Sequence, residues 1–438
     1  MTREMIIRTL AKAFAVSDFT ESDLIRCARI VSPGRTPRWM KLLAQELEEA
    51  FCEKPRPRQR EIEAEIGNSA AFLHALELKK RPSVVVAHLL DVPAPKMHPA
   101  SPSLRNCGLP PLLDFQETAK LLELHPDDLG WLTEKSYRKT DHYHYRWHPK
   151  RSGNGKRLIE IPKPLLKQTQ HFLLSELLER IPPHDSAVGF QQGKSIFDFV
   201  TPHCRKRIVL KLDLEDFFPG IRAARVIRVF MTAGYPERVA ILLAALTTHA
   251  TAADSARESG LEANAVRRLL KPHLPQGAPT SPALANLCAF RLDCRLSGLA
   301  RSAGADYTRY ADDLLFSGDD HFRRKARSFY FAALGIIIEE GFQANLRKTR
   351  FMHASQRQHA GGLVLNEKPN VTRRDYDQLK AILKNCVKTG PDSQNHSAHP
   401  DFKNHLRGRI GWVGSSNPRR AEKLTAVFNQ IPWQGEGI

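Results

Sequence analysis

The sequence predicts an α+β fold, an antiparallel sheet backed by helices, with a small helical domain ahead of it. Three observations lead there. From Met1 to about Leu78, apolar side chains recur at helical spacing, as in Leu42, Leu43, Leu47 and Phe51. Ile208-Val209-Leu210-Lys211-Leu212-Asp213-Leu214 is the short, nearly continuous apolar run that a buried strand needs. Tyr310-Ala311-Asp312-Asp313 lies between the β-prone Asp306-Tyr307-Thr308-Arg309 and the apolar Leu314-Leu315-Phe316-Ser317-Gly318, so it reads as the tip of a hairpin.

The elements follow in chain order. A basic, proline-broken stretch, Lys54-Pro55-Arg56-Pro57-Arg58, interrupts the helical start. The apolar run Val84-Val85-Val86-Ala87-His88-Leu89-Leu90 precedes Pro93, Pro95, Pro99 and Pro102, which places a linker at residues 92–105. Compact patterning resumes at Leu109, with helix-like segments at 114–124 and 165–180. Between them, His144-Tyr145-Arg146-Trp147 and Arg157-Leu158-Ile159-Glu160-Ile161 form hairpin arms around a turn containing Gly153-Asn154-Gly155. His142 and His144 alternate as on an exposed strand face, a metal site being the rarer alternative. In Leu274-Pro275-Gln276-Gly277-Ala278-Pro279-Thr280-Ser281-Pro282, Gly and Pro fix an irregular turn before a helix starting near Ala283. Arg222 to Ala245 and Phe322 to Glu340 read as amphipathic helices covering the sheet.

At 438 residues and 42% hydrophobic, the chain suits two or three folded domains. A formal net charge of +19 points to a polyanion, because Lys and Arg that neutralise phosphates release counterions. The first 105 residues hold 17 Lys/Arg against 13 Asp/Glu, so most of the excess lies beyond them. Charge standing alone would favour a protein basic only for solubility. The seven cysteines include no CxxC pair and read as reduced thiols, not a zinc site or disulfide framework. No stretch has the apolar length of a membrane span, and Arg3, Glu4 and Arg8 spoil a signal peptide, so the cytoplasm is expected.

Three carboxylates are the candidate chemistry: Asp213 on one strand, Asp312 and Asp313 on the hairpin. On neighbouring strands they can bind a pair of divalent ions, which activate an attacking 3′ hydroxyl and neutralise a leaving pyrophosphate, as nucleotidyl transfer demands. An Asp pair on a turn is about as often a solvated loop. The order Asp strand, Pro-Gln-Gly turn, Asp-Asp hairpin is much more specific than any of its parts.

Leu212-Asp213-Leu214-Glu215-Asp216-Phe217-Phe218-Pro219, then LPQGAPTSP, then Tyr307-Thr308-Arg309-Tyr310-Ala311-Asp312-Asp313 closely resembles the bacterial reverse transcriptases of retrons and related phage-defence systems. The resemblance covers roughly residues 106 to 438. Further pieces fit in order: Arg157-Leu158-Ile159-Glu160-Ile161-Pro162, Ala187-Val188-Gly189-Phe190-Gln191-Gln192-Gly193-Lys194-Ser195-Ile196, Asn345-Leu346-Arg347-Lys348-Thr349, Gly361-Gly362-Leu363-Val364-Leu365, and Leu406-Arg407-Gly408-Arg409-Ile410-Gly411-Trp412-Val413. Two elements depart from the retron pattern. Phe199-Val200-Thr201-Pro202-His203 keeps only the second half of an Asn-Ala-x-x-His element, and Ala360-Gly361-Gly362 stands where Val-Thr-Gly is common; both elements are linked to recognition of the retron's own RNA.

The resemblance implies a right-hand polymerase: fingers at 106–205, a palm with an antiparallel sheet at 206–370 and a helical thumb at 371–438, after a helical accessory domain and linker at 1–105. Asp213, Asp312 and Asp313 would hold two Mg²⁺, and Lys348 would act as a general acid near the leaving pyrophosphate. Arg157 would grip the incoming triphosphate, and Gln276, Gly277 and Phe218 would shape its pocket. Phe218, five residues after Asp213, would exclude a 2′ hydroxyl, with Phe217 the alternative one register away. Tyr310, Gly361 and Gly362 would contact primer and template, and the small Ala311 would let the primer end approach. Read singly, Arg157 is a surface arginine, Lys348 a solvated lysine and Gly361-Gly362 a tight hairpin. The implied activity is RNA-directed DNA synthesis from dNTPs on a structured noncoding RNA, in antiviral defence, with an effector protein recruited through the N-terminal domain and no membrane partner. Untemplated or protein-primed synthesis and a non-catalytic RNA-binding scaffold are the alternatives; residues 1–105 contain no Tyr to serve as a primer.

Overall fold

The computed structural model describes residues 3–15, 17, 19–31, 37–51, 57, 59–77, 97, 99, 102–133, 142–149, 156–257 and 261–433. The apolar run at 84–90, most of the expected linker, the turn at 153–155 and all of the 54–58 stretch but Pro57 lie outside the described residues. The chain forms two compact units, residues 1–183 with 218–288 and residues 184–217 with 289–438. Helices are mixed with sheets, and every paired strand is antiparallel to its neighbour.

The first unit opens with five helices, Arg3–Phe14, Glu21–Val31, Arg38–Phe51, Gln59–Asn68 and Ala70–Glu77. Their apolar stripes meet in one cluster that includes Leu10, Phe14, Leu24, Leu43, Leu47, Ile62 and Phe72. In Arg38–Phe51 the buried residues are Met40, Leu43, Ala44, Leu47 and Phe51, spaced for one helix face. Leu42 falls off that face and is 43% exposed, unlike the Leu43, Leu47 and Phe51 of the same pattern.

The expected hairpin is present as β1 (Tyr143–Pro149) against β2 (Lys156–Pro162), with Tyr145 opposite Glu160. The segments read as helices at 114–124 and 165–180 contain Phe115–Leu121, capped by the Asp114 side chain, and Pro164–Glu176 followed by a 3₁₀ turn at Leu178–Arg180. The single helix expected from Arg222 to Ala245 is instead two, Ala223–Ala233 and Glu237–Thr247. Gly234 ends the first at φ +108°, a left-handed position that glycine reaches without a Cβ penalty, and Pro236 caps the second.

The second unit is built on a four-stranded sheet in the order β4-β5-β3-β6, from β3 (Ile208–Asp213), β4 (Ala305–Tyr310), β5 (Asp313–Gly318) and β6 (Arg350–His353). Every β3 side chain except that of Lys211 is buried, as its apolar run requires of a central strand. Helix Asp320–Glu339 starts two residues before the expected Phe322, because Asp319 caps it by accepting from the His321 and Phe322 N–H groups. A small sheet of β7 (His359–Ala360), β8 (Leu363–Val364) and β9 (Asn370–Val371) and the helices Arg373–Thr389, Phe402–Ser416 and Pro418–Phe428 complete the unit. Leu363, Leu379, Leu383, Leu406, Ile410, Leu424 and Phe428 share its apolar cluster with Val209 and Leu315 of the large sheet.

Polar side chains also sit inside this unit, His203 among them. His203 is fully buried, with Nδ1 2.7 Å from Ser317 Oγ and Nε2 2.8 Å from Thr308 Oγ1. Thr308 Oγ1 donates to the Phe199 carbonyl, so it accepts from His203. The neutral ring thus ties the turn at Thr201–His203 to β4 and β5. Burial lowers the His203 pKa from 6.5 to about 3, opposed by Asp306 and assisted by Lys206. Between those values only the unfolded chain binds the proton, so stability declines as pH falls from about 6.5 toward 3, by up to about 1.4 kcal/mol per pH unit. His203→Gln keeps polar atoms but no titrating ring. Its melting temperature should fall less steeply than that of the wild type between about pH 6.5 and 4.5, and equal slopes would dismiss this role.

Candidate active site

The strand register brings the three carboxylates together. In the β3–β5 ladder Asp213 stands directly opposite Asp313, and in the β4–β5 ladder Tyr310 stands opposite Asp313, leaving Ala311 and Asp312 as the turn. The Leu214 N–H donates to the Asp312 carbonyl at 2.8 Å, and the Asn345 N–H donates to the Asp213 carbonyl at 2.7 Å. The hairpin tip, the end of β3 and the segment before Lys348 are therefore laced by main-chain bonds.

Two lysines reach the carboxylates. Lys348 Nζ lies 3.1 and 3.0 Å from the two Asp213 oxygens, and Lys211 Nζ lies 2.8 Å from Asp313 Oδ1 and 2.9 Å from Oδ2. Burial raises the Asp312 pKa to about 6, and the charges of Asp213 and Asp313 push it the same way. Asp213 is also raised, mainly by burial, although Lys348 works against the shift. Both shifts mark a shortage of positive charge and hydration around crowded carboxylates. Among the described residues no three His, Cys, Asp or Glu side chains are arranged to hold a metal ion; Asp213 and Asp313 each pair with a lysine. The donor chemistry nonetheless fits a hard cation: three carboxylates, oxygen donors only, already attracting positive groups.

The hairpin rests on the motif at 187–196. Val188 N–H donates to the Arg309 carbonyl and Arg309 N–H to the Ser186 carbonyl, at 2.8 and 2.6 Å. A Cβ on Gly189 would stand 3.0 Å from Ala311 N and 3.1 Å from Tyr310 Cγ, so that motif needs a glycine to pass beneath the tip. The Tyr310 ring lies 5.7 Å from both Phe190 and Phe199. Ala311 is only 6% exposed and has φ +54°. Its small size answers to close packing beneath the turn.

The expected nucleotide-binding residues gather in the first unit. Arg157 is exposed on β2, whose opposite face buries Leu158 and Glu160. The Glu160 N–H donates to the Gln276 carbonyl at 2.8 Å, and a Cβ on Gly277, which has φ +128°, would come within 2.9 Å of the Glu160 carbonyl. The Pro-Gln-Gly turn is therefore docked on the strand that carries Arg157. Phe218 is half-buried and joins through Ile221, whose N–H donates to Phe218 O and whose carbonyl accepts from Leu274 N–H. Phe217 is 4% exposed and stacks on Phe342 at 5.8 Å, which makes it a core residue and leaves the adjacent ring as the accessible one.

Gly361 and Gly362 form the two-residue turn between β7 and β8, with φ +56° and +79°. A Cβ on Gly361 would press within 2.7 Å of Ile196 Cδ1. His203, from the half-kept element, has no exposed surface to offer RNA.

Among the buried polar groups that sequence reading missed, two are carboxylates with buried partners. One is Glu160, 1% exposed, whose carboxylate accepts from Thr251 Oγ1 at 2.8 Å and lies 3.0 Å from His273 Nε2. The other is Asp293, fully buried on helix Phe290–Ser302 and paired with Arg309. The available signal was a carboxylate in register with Leu292, Leu296 and Ala300 on an apolar helix face.

A family model described as "Reverse transcriptase (RNA-dependent DNA polymerase)" matches residues 148–388. The retron Mx65 reverse transcriptase of Myxococcus xanthus is 40% identical over 279 residues, 63% of this chain and 62% of that protein. The match thus spans less than two thirds of that relative's length. The retron Mx162 reverse transcriptase of Myxococcus xanthus is 33% identical over 74% of this chain and 68% of its own length. The retron Ec86 reverse transcriptase of Escherichia coli is 30% identical over 75% of this chain and 92% of its own. With its aspartates brought together by the strand register, the chain belongs to the reverse transcriptases, the RNA-dependent DNA polymerases, and among them to the retron type.

Proposed function

We propose that the chain copies a structured noncoding RNA into DNA by two-metal nucleotidyl transfer. The observation that carries this reading is the meeting of Asp213 with the Asp312–Asp313 hairpin at one strand end, with burial and mutual repulsion raising two of the carboxylates. Asp213, Asp312 and Asp313 would hold two Mg²⁺, which when bound supply activation of a 3′ hydroxyl and neutralisation of the leaving pyrophosphate. Lys348 and Lys211, which pair with Asp213 and Asp313, would be free to turn to solvent or phosphate where those carboxylates held cations. Lys348 then carries, on Nζ, a proton for the leaving pyrophosphate. Arg157 binds triphosphate oxygens, Gln276 and Gly277 contact the nucleotide, and Phe218 presses on the sugar. Tyr310, Gly361 and Gly362 contact primer and template.

In this reading residues 106–205 are fingers, 206–370 a palm and 371–438 a thumb, and residues 1–105 are an accessory domain for an effector protein. Antiviral defence is the proposed role. The basic excess beyond residue 105 suits a long nucleic-acid partner.

Two expected outcomes test the chemistry. Asp312→Asn together with Asp313→Asn should abolish nucleotide incorporation while RNA affinity, read by filter binding, stays within about twofold; synthesis by the double variant would remove the metal assignment. Phe218→Ala should raise the ratio of ribonucleotide to deoxynucleotide kcat/KM by about 10–100-fold, the scale of a lost steric exclusion. An unchanged ratio would take the sugar-sensing role from Phe218. Deep sequencing of nucleic acid copurified from cells carrying the native locus separates the remaining options. Linked RNA and DNA supports templated synthesis, and RNA alone, unchanged in the double variant, supports a scaffold.

A further inference from the structure

The Asp312–Asp313 turn is held from below by a buried ion pair lying outside the carboxylate cluster. Arg309 and Asp293 are both fully buried. Arg309 Nε donates to Asp293 Oδ1 at 2.8 Å and its NH2 group to Oδ2 at 2.6 Å, a bidentate fork that fixes the guanidinium plane. The Tyr307 hydroxyl also donates to Asp293 Oδ1, at 2.7 Å, and the Phe217 ring lies 5.8 Å from the guanidinium carbon. The remaining terminal nitrogen, NH1, donates to the Ala311 carbonyl at 3.2 Å.

That carbonyl belongs to the peptide joining Ala311 to Asp312. Ala311 holds φ +54°, a left-handed conformation that an alanine does not adopt unless something fixes it. Gly189 crowds the turn at Ala311 N, and Arg309 takes the oxygen on the far side of the same residue. Ala311 is thereby held at the peptide planes on both of its sides. Burial opposes the Arg309 charge, but the Asp293 carboxylate outweighs it, so the fork remains charged.

We infer that the Asp293–Arg309 pair is a positioning device for the catalytic hairpin, setting the direction of the Asp312 and Asp313 carboxylates through the Ala311 carbonyl. This rests on the proposed catalytic role of those aspartates. A pair serving only the core would affect melting and leave the chemistry of the folded molecule alone. A positioning pair changes how well the carboxylates meet cations, without touching the nucleotide.

Arg309→Lys is the informative variant, since it keeps the charge but cannot bind both Asp293 oxygens and the Ala311 carbonyl in one plane. Asp293→Asn keeps the side-chain shape and removes the charge. Each full-length variant would be melted and then assayed for dNTP incorporation on a primed RNA template across a Mg²⁺ titration. The expected result for folded Arg309→Lys is a kcat at least about tenfold lower, a several-fold higher Mg²⁺ requirement and a dNTP KM within about twofold of wild type. Should Arg309→Lys not fold, Asp293→Asn is expected to give the same pattern. Unchanged kcat, a fall in kcat with the Mg²⁺ requirement unmoved, or loss of the cooperative melt in both variants would each overturn the inference. The Asp312→Asn/Asp313→Asn variant run alongside keeps two failures apart: if it is inactive while Arg309→Lys is normal, the positioning role falls and the catalytic reading stands, whereas its activity would remove the reading itself.

Discussion

The register of β3 against β5 is the constraint on which the candidate site depends. Side-chain direction alternates along a strand, so a slip of one residue would turn Asp213 away from Asp313 and drive Lys211 toward the core. The slip is blocked because Val209, Leu210, Leu212 and the facing Leu314, Leu315 and Phe316 are all essentially inaccessible to water. Hydrophobic burial along the strands thus sets a polar geometry at their end. The carboxylates are brought together by apolar side chains buried within the unit.

Crowding has an electrostatic consequence. Three carboxylates at a partly buried strand end repel one another, and water cannot relieve them as it would at a surface. The fold answers with ammonium groups from two directions: Lys211 on β3 itself and Lys348 on the 3₁₀ turn Leu346–Lys348. These are long, flexible side chains, and Lys348 keeps 48% of its side chain exposed. Neutralisation by such groups is easily exchanged, which suits a site proposed to accept and release cations. Fixed arginine forks at the same positions would neutralise more firmly and yield less readily.

Much of this was legible from the sequence. Strand β3, the Asp-Asp hairpin, the β1–β2 hairpin and the glycine turn at 361–362 all rest on local patterns: apolar runs, alternation, and glycines where backbone φ must be positive. The breaks were harder to see. Gly234 splits a stretch whose apolar periodicity runs straight through it, since periodicity records which face is apolar and not whether the axis continues. Leu42 beside Leu43 shows the same limit, two adjacent leucines of which only one can face the core. The polar interior was least legible. Partners such as Asp293 with Arg309, or Glu160 with His273, are sixteen and more than a hundred residues apart in the chain, and nothing in either local sequence marks the pairing.

Those interior pairs also bear on what the fold is selected for. A fully buried Arg–carboxylate pair recovers little beyond its desolvation cost, and apolar residues of the same volume often do as well or better for stability. An apolar pair at 293 and 309 would fill the space between helix Phe290–Ser302 and β4. It would not supply a donor for the Ala311 carbonyl, a group 6% exposed as a residue and held in a left-handed turn. The same holds for His203, whose two ring nitrogens join β4 and β5 through hydroxyls to which an aliphatic side chain could not bond. In both places the polar choice gives direction, which dispersion and burial cannot. The hairpin that carries the aspartates is accordingly supported from within by hydrogen bonds of defined geometry.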